Sequence, residues 1–277
     1  MSGFEGQVAF ITGAGRGQGR AHAVRLAREG VDIIGIDICE DISSMNYPNA
    51  SEADLEETVR LVEKEGRRMV ARKADVRNYE ELAAAFQTGF EEFGRVDIIL
   101  ANAGIVRMAL SESDNFLDEW NDIIDVNLTG VYHTVRAALP AMREGGRGGS
   151  IVITSSSAGL KASPSLGASG NAYTAAKTGL VGLMRGLAAH LAPEWIRVNT
   201  IHPTGVLSGM TQNDGMVAMM EEAAAGGAND ISGMQNALPI QILEAEDIAN
   251  AVAFLVSDQA KFITGVAWPL DAGFSVL

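Results

Sequence analysis

The chain has 277 residues, 47% hydrophobic and 20% charged, a balance that fits one large α/β domain and excludes general disorder. Its formal charge of −14 opposes nucleic acid and anionic membranes as partners, since both repel it at long range, and is read as a solubility feature. Cys39 is the only cysteine, which leaves no intramolecular disulfide and no cysteine-held metal and fits a reducing cytoplasm.

Strand-like apolar runs alternate with longer amphipathic segments almost from end to end. Residues 8–12 read as a first strand, 17–29 as the helix behind it, 31–37 as a second strand, 53–65 as a helix and 68–74 as a third strand. Residues 79–93 are helical, and 96–101 form a strand ending in Asn102-Ala103-Gly104. A long helical stretch over 115–143 is followed by a strand at 150–154 and a helix at 172–191. A strand at 197–202, a helix at 245–256 and a strand at 266–270 complete the pattern. Nearly continuous apolar strands alternating with helices predict a Rossmann-type, doubly wound parallel sheet with helices on both faces. No composition break marks a linker and no fixed-period repeat is found, so 1–277 is expected to be a single domain. No apolar run is long enough to span a bilayer, no secretory leader pattern is read, and His22, His133, His190 and His202 lack metal-ligand spacing.

Three segments interrupt the rhythm. Residues 38–51 form a polar loop longer than α/β connections need, and 158–170 are rich in Gly, Ser and Ala. Residues 204–239 carry Met210, Met216, Met219, Met220 and Met234 and are read as a substrate lid, because long loops in compact α/β domains serve binding. Those methionines fit either core filling or an apolar substrate wall.

In the turn 12–19, Gly13, Gly17 and Gly19 follow a strand and open a helix. Missing side chains there allow a tight turn and close approach of a pyrophosphate to backbone N–H groups at the helix N-terminus. The G-x-x-x-G-x-G spacing is one residue looser than the Rossmann fingerprint. Asp37 ends the second strand at the distance where a carboxylate meets ribose hydroxyls. Cofactor choice is a contest between two residues. Asp37 accepts from a 2′-hydroxyl and repels a 2′-phosphate, whereas Arg16 in the turn suits the phosphate. A fixed carboxylate outweighs an arginine free to swing to solvent, so NAD is the expected cofactor.

Tyr173 and Lys177, four residues apart on the expected helix, share one face. A free tyrosine titrates near ~10 and is a poor base at neutral pH. A neighbouring ammonium stabilises the phenolate and brings it toward the range of general acid–base catalysis.

Taken together, these pieces resemble the short-chain dehydrogenase/reductase family over nearly the whole chain. The resemblance is carried by Thr12-Gly13 through Gly19, Asp75-Val76, Asn102-Ala103-Gly104 and Asn127 in Asp125-Val126-Asn127-Leu128-Thr129-Gly130. Further along it is carried by Ser155-Ser156-Ser157-Ala158-Gly159, Tyr173 with Lys177, and His202-Pro203-Thr204-Gly205. Gly17-Gln18-Gly19-Arg20, the loop after Asp37 and Gly159-Leu160-Lys161 resemble its mycofactocin-associated, carveol-dehydrogenase-like branch.

The resemblance implies that Tyr173 is the general acid/base, that Lys177 lowers its pKa and holds the nicotinamide ribose, and that Ser156, three residues before the glycine, hydrogen-bonds the reacting oxygen. Asn127 would help hold a proton-relaying water. Cofactor contacts are implied at Gly13, Arg16, Gly17, Gln18, Gly19, Asp37, Asp75, Val76, Asn102, Ala103, Gly104, Tyr173, Lys177, Pro203, Thr204, Val206 and Ser208. Taken alone, the serine run also fits turn or cap chemistry, Asn127 a backbone-satisfying amide and Asp75 a strand-end turn. Two departures stand out. Ser156 and Tyr173 are widely spaced, so 162–170 must bulge, and Pro203-Thr204-Gly205 replaces Pro-Gly, with Ser208 where a threonine often holds the carboxamide.

The implied activity is NAD-dependent hydride transfer to or from a secondary alcohol or ketone, apolar, cyclic or terpenoid. The alternatives are an NADPH-dependent 3-oxoacyl-thioester reductase, favoured by Arg16 and disfavoured by Asp37, and a non-catalytic dinucleotide sensor. A homotetramer and an external redox carrier are implied as partners. Loop 38–51, directly after Asp37, is expected to fold over the adenosine end and slow cofactor release.

Overall fold

A computed structural model describes residues 3–109, 113–161, 167–224 and 235–277. The strands are β1 (Val8–Thr12), β2 (Asp32–Asp37), β3 (Met69–Lys73), β4 (Ile98–Ala101), β5 (Gly149–Thr154), β6 (Ile196–Pro203) and β7 (Ala267–Leu270). They form one sheet in the order β3-β2-β1-β4-β5-β6-β7, every pairing parallel. The chain runs outward from β1 to β3, returns, and runs outward again from β4 on the other side. The order therefore switches between β1 and β4, where open α/β sheets form a crevice beyond the strand carboxyl ends.

The apolar strands are continuous because both faces are covered. Phe10, Ile34, Ile36, Ile99, Ile151 and Ile153 pack with helices α3 (Tyr79–Phe93), α5 (Gly130–Glu144) and α6 (Ala168–Leu191). Their strand neighbours Ile11, Ile33, Leu100 and Val152 point the other way, against α1 (Gly17–Ala27), α2 (Glu52–Lys64) and α8 (Ala245–Val256). Alternation along each strand thus feeds two cores.

Local chemistry sets the helix ends. Ser51 caps α2 by accepting from the Asp54 N–H at 3.2 Å, while the Asp54 carboxylate accepts from the Ser51 N–H at 2.9 Å. Asn78 caps α3, which stops at Gly94 in the left-handed region. Helix α1 has no side-chain cap, so its first N–H groups remain for another acceptor.

Two expectations differ in detail. The helix over 115–143 is α4 (Phe116–Ile124) and α5 joined by a π-helical turn at Asp125–Thr129, with Asn127 inside it. The helix expected over 172–191 starts at Ala168, so part of the polar segment before Tyr173 is already helical. Within 204–239 the chain forms α7 (Asp214–Ala224), which carries Met216, Met219 and Met220. Met234 and residues 162–166 of the expected bulge lie outside the described residues.

Candidate active site

A cleft opens at the carboxyl ends of β1, β2 and β4. Gly13, Arg16, Gly17, Gln18, Asp37, Asp75, Val76, Asn102, Ala103, Gly104 and Ser208 all line it. Its floor is the glycine turn. Gly13 and Gly17 have φ of 70° and 53°, conformations that favour glycine. A Cβ at Gly19 would run into the Gly13 carbonyl oxygen, and one at Gly13 would lie 2.9 Å from the Ala103 Cα. The backbone thus approaches the cleft without side chains, beside the uncapped α1 N-terminus. This is a cradle for an anion such as a diphosphate.

Asp37 stands at the rim, buried. Burial raises its carboxyl above the ordinary value, opposed by backbone N–H donors from Gly15 and Cys39 and by the Arg16 charge. Arg16 donates to the Pro48 carbonyl at 2.6 Å. Asp75 accepts from the Arg77 backbone N–H at 2.9 Å and from its guanidinium at 2.7 Å, so it is a turn residue as well as a cleft residue.

The β4 end is stapled to β1 and β5. The Asn102 side chain donates to the Thr12 carbonyl at 3.1 Å and accepts from the Thr154 hydroxyl at 3.3 Å. The Asn127 carboxamide donates to the Ile105 and Ile123 carbonyls, both at 2.8 Å, and accepts from the Ile105 N–H at 3.1 Å. Every polar atom of that side chain is committed to backbone. Gly104 keeps this region open, since a Cβ there would sit 2.8 Å from Asn127 Oδ1 and 3.4 Å from Lys177 Nζ.

Lys177 reaches Gly104, with Tyr173 beside it and Ser156 near Tyr173. The Ser156 hydroxyl accepts from the Ala158 N–H at 3.2 Å and is near enough to Tyr173 to oppose the rise of its pKa. The Lys177 ammonium donates to the Thr154 carbonyl at 2.8 Å and lies 5.4 Å from the centroid of the Tyr173 ring. Burial raises the Tyr173 phenol above its ordinary value, and the opposing influence is Ser156, not Lys177. Burial also brings Lys177 from 10.5 down to about 7, so near neutrality it is only partly charged.

The neighbouring serines are separated by their contacts. The Ser155 hydroxyl donates to the Lys177 carbonyl at 2.9 Å, holding α6 against β5. Ser157 is buried at the start of a short 3₁₀ turn. Of the expected cofactor contacts, Gly19, Tyr173, Lys177, Pro203, Thr204 and Val206 are not among the cleft-lining residues. Thr204 donates to Asn236 at 3.1 Å, and Val206 bridges to Leu243.

Sequence reasoning missed the inner surface of 38–51. Ile38, Ile42, Tyr47, Asn49 and Ala50 line the cleft, joined by Ile105, Val126 and Met210. The Tyr47 hydroxyl accepts from the Val106 N–H at 3.3 Å, and the Asn46 amide donates to the Met108 carbonyl at 2.9 Å. The segment is a strap from β2 to the loop after β4. Its signal in sequence was two apolar residues, Ile42 and Tyr47, inside an otherwise polar loop.

Bare N–H groups at the switch point of a doubly wound sheet, next to a buried phenol and amine, define a dinucleotide-binding protein of the Rossmann type. Comparison with known proteins narrows that class. A family profile described as enoyl-(acyl carrier protein) reductase matches residues 13–275. The (−)-trans-carveol dehydrogenase of Rhodococcus erythropolis is 46% identical over 277 residues, 99% of each chain. A short-chain dehydrogenase from Mycobacterium paratuberculosis, crystallised bound to NAD, superposes with a TM-score of 0.91 at 42% identity, covering 99% of each chain. Carveol dehydrogenase from Mycobacterium avium, in complex with NAD, superposes with a TM-score of 0.89 at 46% identity over 100% of each chain. The chain belongs to the short-chain dehydrogenase/reductase family.

Proposed function

We propose that this protein is an NAD-dependent alcohol dehydrogenase acting on an apolar, cyclic or terpenoid secondary alcohol or its ketone. The observation that carries the reading is the grouping of Lys177 with Tyr173, and of Ser156 near Tyr173, with Lys177 reaching Gly104 on the lining of a cleft that also holds Asp37. NAD, when bound, supplies the two-electron acceptor for the substrate carbon. The glycine turn and the α1 N-terminus would hold its diphosphate, Asp37 its adenosine ribose, and Lys177 its other ribose. Asp75 and Val76 would flank its adenine, Asn102 to Gly104 would line the cleft beside it, and Ser208 would face its carboxamide.

The remaining chemistry belongs to the chain. The Ser156 hydroxyl donates to the substrate oxygen and orients it toward the Tyr173 phenol. Tyr173 takes the hydroxyl proton during oxidation and returns it during reduction. Burial places Lys177 near neutrality, and its protonated form favours the phenolate. Asn127, with its carboxamide held by Ile105 and Ile123, supports the proton relay by shaping the π turn rather than by a free side-chain group. Residues 204–239 act as the substrate lid.

The strap supports slow exchange of NAD, because it must leave Val106 and Met108 before a dinucleotide beneath it can escape. An external redox carrier would then reoxidise the cofactor in place. Exposed Phe116, Leu117, Trp120 and Tyr132 on α4 and α5 support burial in a homotetramer. Among the described residues no helix is long and apolar enough to cross a membrane, and we assign the protein to the cytoplasm.

The test is a panel of secondary alcohols from cyclohexanol to carveol, run with NAD alone and with NAD plus an artificial electron acceptor. We expect oxidation of the apolar cyclic members and loss of about 10²–10⁴-fold in kcat for Tyr173→Phe with NAD binding kept. Failure to oxidise any member with either acceptor would leave the non-catalytic sensor as the better reading.

A further inference from the structure

His202 is fully buried at the end of β6, and both ring nitrogens are engaged. Nδ1 lies 2.8 Å from the Ser156 carbonyl oxygen, and Nε2 lies 2.8 Å from the Thr200 hydroxyl. A carbonyl only accepts, so Nδ1 carries the hydrogen. In the neutral ring Nε2 then holds a lone pair, which accepts a hydrogen bond from the Thr200 hydroxyl. This arrangement has one polarity and one tautomer. Burial, reinforced by the Lys177 charge, lowers the His202 pKa, with the Ser156 carbonyl and Asp271 acting in the opposite direction.

A buried imidazole is costly unless hydrogen-bonded, and an aliphatic side chain would fill the same space with no such requirement. What the ring adds is direction. Ser156 is two residues beyond the last residue of β5, with φ −163° and ψ 161°, before the chain turns into the 3₁₀ segment Ser157–Gly159. Its carbonyl is held from the local turn by the Gly159 N–H at 2.9 Å and from the neighbouring strand by His202. The peptide plane is therefore clamped on two sides, and the Cβ that carries the Ser156 hydroxyl has little freedom. Immediately after His202 the chain enters Pro203 and the loop leading to Ser208, which lines the cleft.

We infer that His202 is a positioning residue: by donating from Nδ1 to the Ser156 carbonyl it sets the direction of the Ser156 hydroxyl toward Tyr173. It also fixes that hydroxyl relative to the strand end from which 203–208 departs. The inference rests on the reading of Ser156 as the group that hydrogen-bonds the reacting oxygen.

The experiment compares His202→Leu, His202→Asn, Ser156→Ala and the double variant His202→Leu/Ser156→Ala, with cyclohexanol as probe and NAD affinity measured by calorimetry. Asparagine places its amide donor where Nδ1 stood, and leucine places none. His202→Leu should lower kcat by about 10- to 100-fold, the scale of a misplaced reacting group, with NAD affinity changed by less than about twofold. His202→Asn should recover to within about threefold of wild type, and His202→Leu should cost less than about threefold when Ser156 is already alanine. Unchanged kcat in His202→Leu beside a large loss in Ser156→Ala would overturn the inference and leave the serine reading standing. Equal losses for leucine and asparagine, or fully additive losses in the double variant, would overturn it too. Full activity of Ser156→Ala would instead remove the serine reading beneath it. Should His202→Leu fail to fold, nitrogen-15 NMR of the histidine-labelled wild-type holoenzyme decides the matter. It should show His202 as the neutral Nδ1–H tautomer at pH 7, and the Nε2–H tautomer would refute the donor role.

Discussion

The Asp37 carboxylate accepts a hydrogen bond at 2.8 Å from the backbone N–H of Gly15, 22 residues earlier in the chain. A Cβ at Gly15 would lie 3.0 Å from that carboxylate oxygen and 2.8 Å from the Ala50 Cβ. The glycine turn and the Asp37 carboxylate are thus tied directly to each other across the cleft. Asp37→Ser should raise NADP binding relative to NAD by one to two orders of magnitude, about 1–3 kcal/mol, the scale of a charge-assisted hydrogen bond. Titration with both nucleotides measures it. An unchanged ratio would mean that the carboxylate does not meet the ribose.

The serine run should divide by function. Ser156→Ala is expected to lose activity at near-native stability, since its hydroxyl meets Tyr173. Ser155→Ala removes a buried hydrogen bond to the Lys177 carbonyl and should cost about 1 kcal/mol of stability instead. Steady-state kinetics and chemical denaturation of both variants, with Ser157→Ala as a third, separate the effects. Equal kinetic losses would count against the assignment of Ser156.

The strap should control how fast NAD leaves. Asn46→Ala with Tyr47→Phe removes the donor to Met108 and the acceptor for Val106. Release of NAD from the holoenzyme should quicken by at least about tenfold, as expected when a lid sets the exit rate. Exchange of bound NAD against an isotopically labelled pool gives the rate directly. If wild type already exchanges within mixing time, the strap is no barrier.

His22 offers a pH signature away from the chemistry. Neither ring nitrogen finds a hydrogen-bond partner among the described residues, and burial lowers its pKa from 6.5 to about 4. Above pH 6.5 the ring is neutral in both folded and unfolded chains. As pH falls from 6.5 toward 4, the unfolded chain takes up a proton that the folded chain refuses, and stability is lost. The full effect is on the order of 3 kcal/mol. His22→Leu should therefore flatten the acid side of a Tm-versus-pH profile while changing little above pH 7. A parallel downward shift at every pH would mean that the ring acts through packing alone.

What the chain shows without its fold is whatever neighbours in sequence encode. Strand–helix alternation, the glycines before α1, the carboxylate ending β2 and the four-residue spacing of Tyr173 and Lys177 all follow from local period and backbone freedom. Those features sufficed for a doubly wound sheet and its family. Partnerships between distant segments were decided only in three dimensions. The Lys177 ammonium reaches back to Thr154, Asn127 gives its amide to Ile105, and Tyr47 crosses to Val106. Each depends on how β4, β5 and the strap lie side by side, which no local pattern specifies. The same holds for the direction of the Tyr173 shift. Spacing placed a cation beside the phenol, but burial took both groups out of water, raising the pKa of the phenol and lowering that of the amine. Desolvation depends on everything packed around a group, and so it belongs to the tertiary structure.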